Sequence, residues 1–256
     1  MARPRNPAEH GDKQMTRTVA VIQARTGSNR LPGKVLKPLH DDVSLLSYQC
    51  RQLRNIEGVD ELVIATTTNP DDDTVVALAE REGIRVFRGS EEDVLSRFLL
   101  VAEQTVAKTI IRITSDSPFR DPAVIARCVA EHRQHQAEYT RPSAGHLPKG
   151  LRAEVVETAV LRQLDEAAGT TARDREHVTV FIREHLDRFR CHTVDFPEPL
   201  HRPDLDVSVD TIEGLALVRA LHAALVDRDW PVDTAHLCRL YDETNVLKAI
   251  VTDLAS

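Results

Sequence analysis

The stretch best equipped for chemistry runs from Gln23 to Lys34: Gln-Ala-Arg-Thr-Gly-Ser-Asn-Arg-Leu-Pro-Gly-Lys. It carries the cations Arg25, Arg30 and Lys34, the glycines Gly27 and Gly33, and the hydroxyls of Thr26 and Ser28. Glycine lets backbone N–H groups come close to an anion, and the cations supply the charge a polyphosphate needs. The order fits neither G-x-x-x-x-G-K-[ST] nor G-x-G-x-x-G, so this is not a Walker or dinucleotide loop. A solvated basic turn is the plain alternative. The loop directly follows Thr18–Gln23 (TVAVIQ), a β-branched run too short for a helix. In open parallel sheets, ligands bind beyond the carboxyl ends of strands.

Two carboxylates stand at comparable places. Asp116 follows the apolar run Thr109–Thr114 and precedes Pro118; Asp210 follows Asp206–Val209 and opens a helical stretch. Oxygen donors of this kind suit a hard divalent cation. An aspartate at such a junction equally serves as a helix N-cap, and the residues alone leave both roles open. Arg112 lies within a strand, where a charge is costly unless paired or at the sheet end. Asp93 and Arg97 are four apart, so they either pair on a helix surface or serve a ligand. Thr66 and Thr67 suit a strand end by β-propensity alone.

The elements that must position these residues follow a clear pattern. Short apolar runs at Thr18–Gln23, Glu61–Thr67, Ile84–Phe87 and Thr109–Thr114 alternate with helical patterns at Leu45–Ile56, Asp72–Glu82, Glu91–Ala107 and Pro122–Gln136. That alternation predicts an α/β fold with a mostly parallel, doubly wound sheet. Residues 1–16 read as a disordered leader, with Met15 an alternative start, and 17–141 as the α/β core. Residues 142–199 read as an inserted α+β subdomain that leaves the core. It has strands at Leu151–Val156 and Cys191–Phe196 and helices at Glu157–Ala168 and Asp174–His185. Residues 200–256 return to the core through a strand at Asp206–Val209. Helices follow at Ile212–Asp227, Thr234–Asp242 and Val246–Leu254.

Composition narrows the class. The chain has 256 residues, with 33 Lys plus Arg against 40 Asp plus Glu, for a net charge of -7. The acid excess argues against a nucleic acid polymer as partner. One Trp, three Tyr and six Phe are too few for a base-stacking platform. No apolar run approaches the ~20 residues of a membrane helix. The amino end lacks the apolar core of a secretory signal, so a cytoplasmic protein is expected. Cys50, Cys128, Cys191 and Cys238 are scattered without a C-x-x-C pair, which argues against a zinc site and for reduced core thiols.

Ala24, Arg25, Ser28, Arg30, Leu31, Pro32, Gly33 and Lys34 follow the order of a known signature loop. It resembles that of the cytidylyltransferases that make CMP-activated acid sugars, nearest to the branch called spore coat polysaccharide biosynthesis protein F. Val63–Asp72, Phe87–Arg97, Arg112–Pro118, Arg175–Thr179 and Val209–Thr211 also resemble family segments. The resemblance spans nearly all of 18–224. It departs at Ser115, where the family has Gly, and at Lys149 and Arg152, where relatives often carry an acidic residue.

The resemblance implies a nucleotide-diphospho-sugar transferase-like fold and Mg2+ held by Asp116 and Asp210. Arg25, Arg30 and Lys34 would act as the catalytic clamp on the polyphosphate. Nucleotide contacts would come from Gln23, Ala24, Gly27 and Ser28, from Ala65, Thr66 and Thr67, from Gly89, Ser90 and Asp93, and from Asp116. Acceptor contacts would come from Arg112, Arg152, Glu154, Arg175 and His177. It further implies a homodimer formed through 142–199. The expected activity is CTP-dependent transfer of CMP to a small anionic acceptor with release of pyrophosphate. An acidic sugar is the first choice of acceptor and a small phosphonate the second. A catalytically silent nucleotide-binding partner protein is the reading from another class. A related glycosyltransferase would need a D-x-D motif after a strand, whereas Asp204-Leu-Asp206 lies before one.

Overall fold

The computed structural model describes residues 17–243. Its strands are β1 (Thr18–Gln23), β2 (Pro38–His40), β3 (Val43–Ser44), β4 (Glu61–Thr67), β5 (Arg85–Gly89), β6 (Thr109–Thr114), β7 (Tyr139–Pro142), β8 (Glu154–Glu157) and β9 (Cys191–Val194). Its helices are α1 (Leu45–Gln52), α2 (Asp73–Arg81), α3 (Val94–Thr105), α4 (Pro122–Gln134), α5 (Thr158–Glu166), α6 (Ala172–His177), α7 (Val180–Glu184), α8 (Ile212–Val226) and α9 (Thr234–Glu243). β2 and β3 form a small hairpin; the other strands make one sheet, ordered β5-β4-β1-β6-β8-β7-β9.

β1 pairs in parallel with β4 and β6, and β4 with β5. Their β-branched side chains are buried on both faces, as a sheet covered by helices requires. Ala20 and Ile22 enter one apolar layer with Cys50 and Ile125; Val19 and Val21 enter the other with Leu95 and Phe98. A third cluster joins Leu31, Phe119, Val207 and Val209 to Leu215, Val218 and Leu221 on α8 and to Leu237 on α9. It fastens the Gln23–Lys34 loop from outside the sheet.

β8 runs antiparallel to β6 and β7, while β9 runs parallel to β7. Because β8 is reversed, its first residue, Glu154, lies at the edge where the parallel strands end. Arg112 on β6 stands opposite it.

Three expectations are corrected. Residues 142–199 do not leave the core, since β8 and β9 extend the same sheet. The helix expected over Asp174–His185 is broken into α6 and α7 at Val178, whose φ is 57°. The break lets the Thr179 hydroxyl donate to Glu154 at 2.8 Å. Asp206–Val209 forms no strand: only an isolated bridge joins Lys149 and Asp206. The Asp206 carboxylate accepts from the backbone N–H of Ser208 at 2.9 Å, a local turn that competes with ladder pairing. The expected leader 1–16 and helix Val246–Leu254 lie outside the described residues.

Candidate functional site

The first loop leaves β1 at Gln23 and folds back on itself. The N–H of Gly33 donates to the carbonyl of Thr26 at 2.9 Å. Gly33 has φ 65°, a conformation glycine adopts without a Cβ penalty. The turn there starts a single 3₁₀ turn, Lys34–Leu36, that buries Val35 and directs Lys34 inward. Asp72 ties the loop to β4. Its Oδ1 accepts from the Thr26 N–H and hydroxyl, both at 2.7 Å, and its Oδ2 accepts from the Thr67 hydroxyl. Burial pushes the Asp72 carboxyl up, but these hydrogen bonds outweigh it and hold the group below its ordinary value.

Lys34 stands between the two carboxylates. Its Nζ lies 2.8 Å from Asp210 Oδ1, 3.9 Å from Asp116 Oδ2 and 2.9 Å from the Val209 carbonyl. Arg30 Nη2 reaches Asp210 Oδ2 at 3.0 Å. Neither aspartate caps a helix. Asp121 caps α4, accepting from the Ala123 N–H, and Thr211 caps α8, accepting from the Gly214 N–H. Asp116 instead accepts from Thr114 at 2.7 Å and Ser117 at 2.8 Å. Burial raises the Asp116 pKa, yet Thr114, Lys34, Ser117 and Arg120 together hold it below the usual carboxylate range. Two carboxylates already converge on one compact cation, which is the donor set a hard divalent ion takes.

Two cavities meet here. The loop-side cavity, of about 350 Å³, is lined by Gln23, Ala24, Arg25, Gly27, Ser28, Arg30 and Lys34, with Arg97, Glu176 and His177. The other, of about 240 Å³, is lined by Arg120, Arg141, Lys149, Arg152, Glu154 and Arg183 among others. Arg112, Thr114, Asp116 and Asp210 line both. These sizes suit small ligands rather than a polymer.

Several expected residues stand apart from both linings. Ala65 accepts from the Ala24 N–H through its carbonyl at 3.1 Å, Thr66 is buried, and Thr67 holds Asp72. Ser90 accepts from the Asp93 N–H at 3.1 Å. Asp93 caps α3 and pairs with Arg175 at 2.7 Å, and Arg175 also pairs with Asp165 at 2.8 Å. A pairing of Asp93 with Arg97 on a helix surface is not what forms. Arg97 is 3% exposed, and its Nε and Nη1 have no hydrogen-bond partner. Burial, with Arg25 nearby, pushes its pKa down to about 10. A Cβ at Gly89 would lie 2.8 Å from Arg97 Cγ, so Gly89 makes room for this side chain. His177 lines the loop-side cavity, not the arginine-lined one. The D-x-D aspartates are engaged elsewhere, Asp206 by Lys149 at 2.6 Å and Asp204 by Tyr241 at 2.8 Å.

Glu154 anchors the second cavity. It accepts from Arg112 and Thr179, both at 2.8 Å, and from the Tyr139 hydroxyl. Burial raises its pKa, but Arg112, Tyr139, Arg183 and Thr179 hold it below the ordinary value. Arg120, Arg141 and Arg183 were not singled out by sequence. Arg120 is 5% exposed and gives one hydrogen bond, to Thr114 at 2.8 Å, while Nε and Nη1 lack partners. No motif marks it. Among the described residues, Glu131, His135 and His192 also cluster closely enough to share an ion, but none of them lines either cavity.

The sequence profile of the family described as Cytidylyltransferase matches residues 19–249. The chain belongs to the cytidylyltransferase family. This makes it a nucleotidyltransferase. It is 36% identical over 211 residues to the spore coat polysaccharide biosynthesis protein SpsF of Bacillus subtilis, covering 81% of this chain and 87% of that protein. A cytidylyltransferase structure from Leptospira borgpetersenii superposes with a TM-score of 0.82 at 24% identity, covering 92% of this chain and 97% of that one. The structure of CMP:2-keto-3-deoxy-manno-octonic acid synthetase complexed with CTP superposes with a TM-score of 0.60 at 18% identity, covering 82% and 99%. At those identities the two structures speak to the fold alone. The cytidylyltransferase sheet and its helices are therefore the expected α/β architecture. Among the described residues no helix is long and apolar enough to cross a membrane.

Proposed function

We propose that this cytidylyltransferase transfers CMP from CTP to a small anionic acceptor and releases pyrophosphate. The observation that carries the reading is the meeting of two cavities at Arg112, Thr114, Asp116 and Asp210. The loop cations lie on one side of this junction and the arginine-lined cavity on the other. An acceptor oxygen held in the second cavity attacks the α-phosphorus of CTP. A new O–P bond forms, the bond between the α- and β-phosphates breaks, and pyrophosphate departs. Arg25, Arg30 and Lys34 offset the charge that builds on the leaving group. Asp116 and Asp210 would hold Mg2+, which supplies further neutralisation of the triphosphate when bound.

An acidic sugar is the first reading of the acceptor, in keeping with the similarity to SpsF. A small phosphonate is the second, favoured by the guanidinium groups around the second cavity. A phosphonate oxygen is already ionised at neutral pH, whereas a sugar hydroxyl must lose a proton during attack. Pyrophosphate release is the test, with four nucleoside triphosphates paired against sugar acids and phosphonates. Release with CTP and one acid class is expected. No release with any acid, while CTP still binds, would favour a silent nucleotide-binding protein.

The proposal includes a homodimer formed through 142–199. In support, among the described residues β9 ends the strand order, so its outer edge has no neighbour in the sheet. Light scattering on the full chain should report two copies; a monomer at working concentration would remove this part.

A further inference from the structure

The arginine-lined cavity carries an imbalance of donors and acceptors. Its carboxylates are already engaged: Glu154 by Arg112, Thr179 and Tyr139, Asp116 by Thr114 and Ser117, and Asp210 by Lys34 and Arg30. Among its buried side-chain polar atoms, those without a partner are all guanidinium donors. Arg120 has Nε and Nη1 buried without partners, and Arg141 has its Nε in the same state. Arg152 gives one bond, to the Leu147 carbonyl at 3.2 Å, and Arg183 stays 3.9 Å from Glu154. A guanidinium has no acceptor site, and a buried charge without a partner is costly. A polyhydroxyl chain needs acceptors as well as donors, so these walls suit it poorly. Anions meet the walls on their own terms.

We infer that the acceptor bears two separate anionic groups, one supplying the attacking oxygen at the Arg112–Asp116 junction and the other seated on Arg120, Arg141, Arg152 and Arg183. The inference rests on the transferase reading and, of its two acceptor classes, takes the phosphonate over the acidic sugar. When the attacking group is a phosphonate, its oxygen joins the α-phosphorus, pyrophosphate takes the bonding pair, and charge balances without a proton acceptor.

The test measures pyrophosphate release by the full chain with CTP and Mg2+. Three probes are compared: phosphonoacetate (two anionic groups), methylphosphonate (one) and 3-deoxy-manno-octulosonate (one, on a polyol). Phosphonoacetate should exceed methylphosphonate by at least about tenfold in kcat/KM, the worth of one charge-assisted contact. Octulosonate should be the poorest. Octulosonate turned over as well as phosphonoacetate would overturn the inference and leave the transferase reading standing. No release with any probe would count against the reading, and calorimetry of phosphonoacetate against the CTP-loaded chain then decides the inference. Binding that Arg152→Ala with Arg183→Ala weakens at least about tenfold supports it, and no binding overturns it. Those two side chains are exposed, so the pair can be replaced without opening the core.

Discussion

Lys34 and Asp210 lie 176 positions apart in the chain, and their side chains meet at 2.8 Å. The contact joins the end of the first loop to the segment before α8, and Asp116 completes it from the end of β6. Lys34 is largely shielded from solvent, with 12% of its side chain exposed. An ammonium in that position keeps two carboxylates from repelling one another and offers its charge to an arriving phosphate. Lys34→Met should lower kcat by at least about a hundredfold, the usual effect of losing one group that stabilises developing charge. Steady-state pyrophosphate release checks this, and near-parental kcat would remove Lys34 from the clamp.

Asp210→Asn tests the metal assignment separately from the fold. Thr211, not Asp210, caps α8, so the helix keeps its cap. The thermal unfolding midpoint should move by no more than about 4 °C, because Lys34 keeps Asp116 and the Val209 carbonyl as partners. The Mg2+ concentration for half-maximal turnover should rise at least about tenfold, because one hard oxygen donor is lost. Turnover unchanged at every Mg2+ concentration would place the ion elsewhere.

Much of this site was legible from sequence because local patterns position it. The β1, β4 and β6 runs are β-branched and bounded by polar residues, and their ends fall where the pattern places them. The Arg25, Arg30 and Lys34 loop stands directly beyond β1. What stayed hidden depends on long-range packing. Nothing local marks β8 as the reversed strand, so Glu154 could not be placed beside Arg112. Nothing local marks Arg120, and the spacing of Asp93 and Arg97 leaves a surface pair and a ligand role both open; the fold buries both arginines. The break at Val178 is sustained by the Thr179–Glu154 hydrogen bond, which joins residues 25 positions apart.

Arg97→Met separates a ligand role from a structural one. The guanidinium is buried with two nitrogens unpartnered, so methionine of similar length removes a desolvated charge and no hydrogen-bonded pair. Stability in urea should stay equal or rise, within about 1 kcal/mol. The KM for CTP should rise at least about tenfold, since Arg97 lines the loop-side cavity proposed to take CTP. A fall in stability with an unchanged KM would assign Arg97 to the core alone.

Glu154→Gln should change how stability depends on pH. The folded chain holds this carboxyl below its ordinary value of 4.5, because Arg112, Tyr139, Arg183 and Thr179 together outweigh burial. A lowered folded pKa stabilises the fold fully above 4.5 and loses that contribution as pH falls through the lowered value. Glutamine leaves Arg112 in the interior without its charge partner, which should cost about 3 kcal/mol near neutral pH. Urea unfolding at neutral pH, and in steps from about pH 5 to about pH 3, reads both effects. The parent should lose stability across that range, and the variant, weaker at the start, should lose less of it. Parallel pH curves for the two proteins would show that Glu154 contributes no proton linkage to folding.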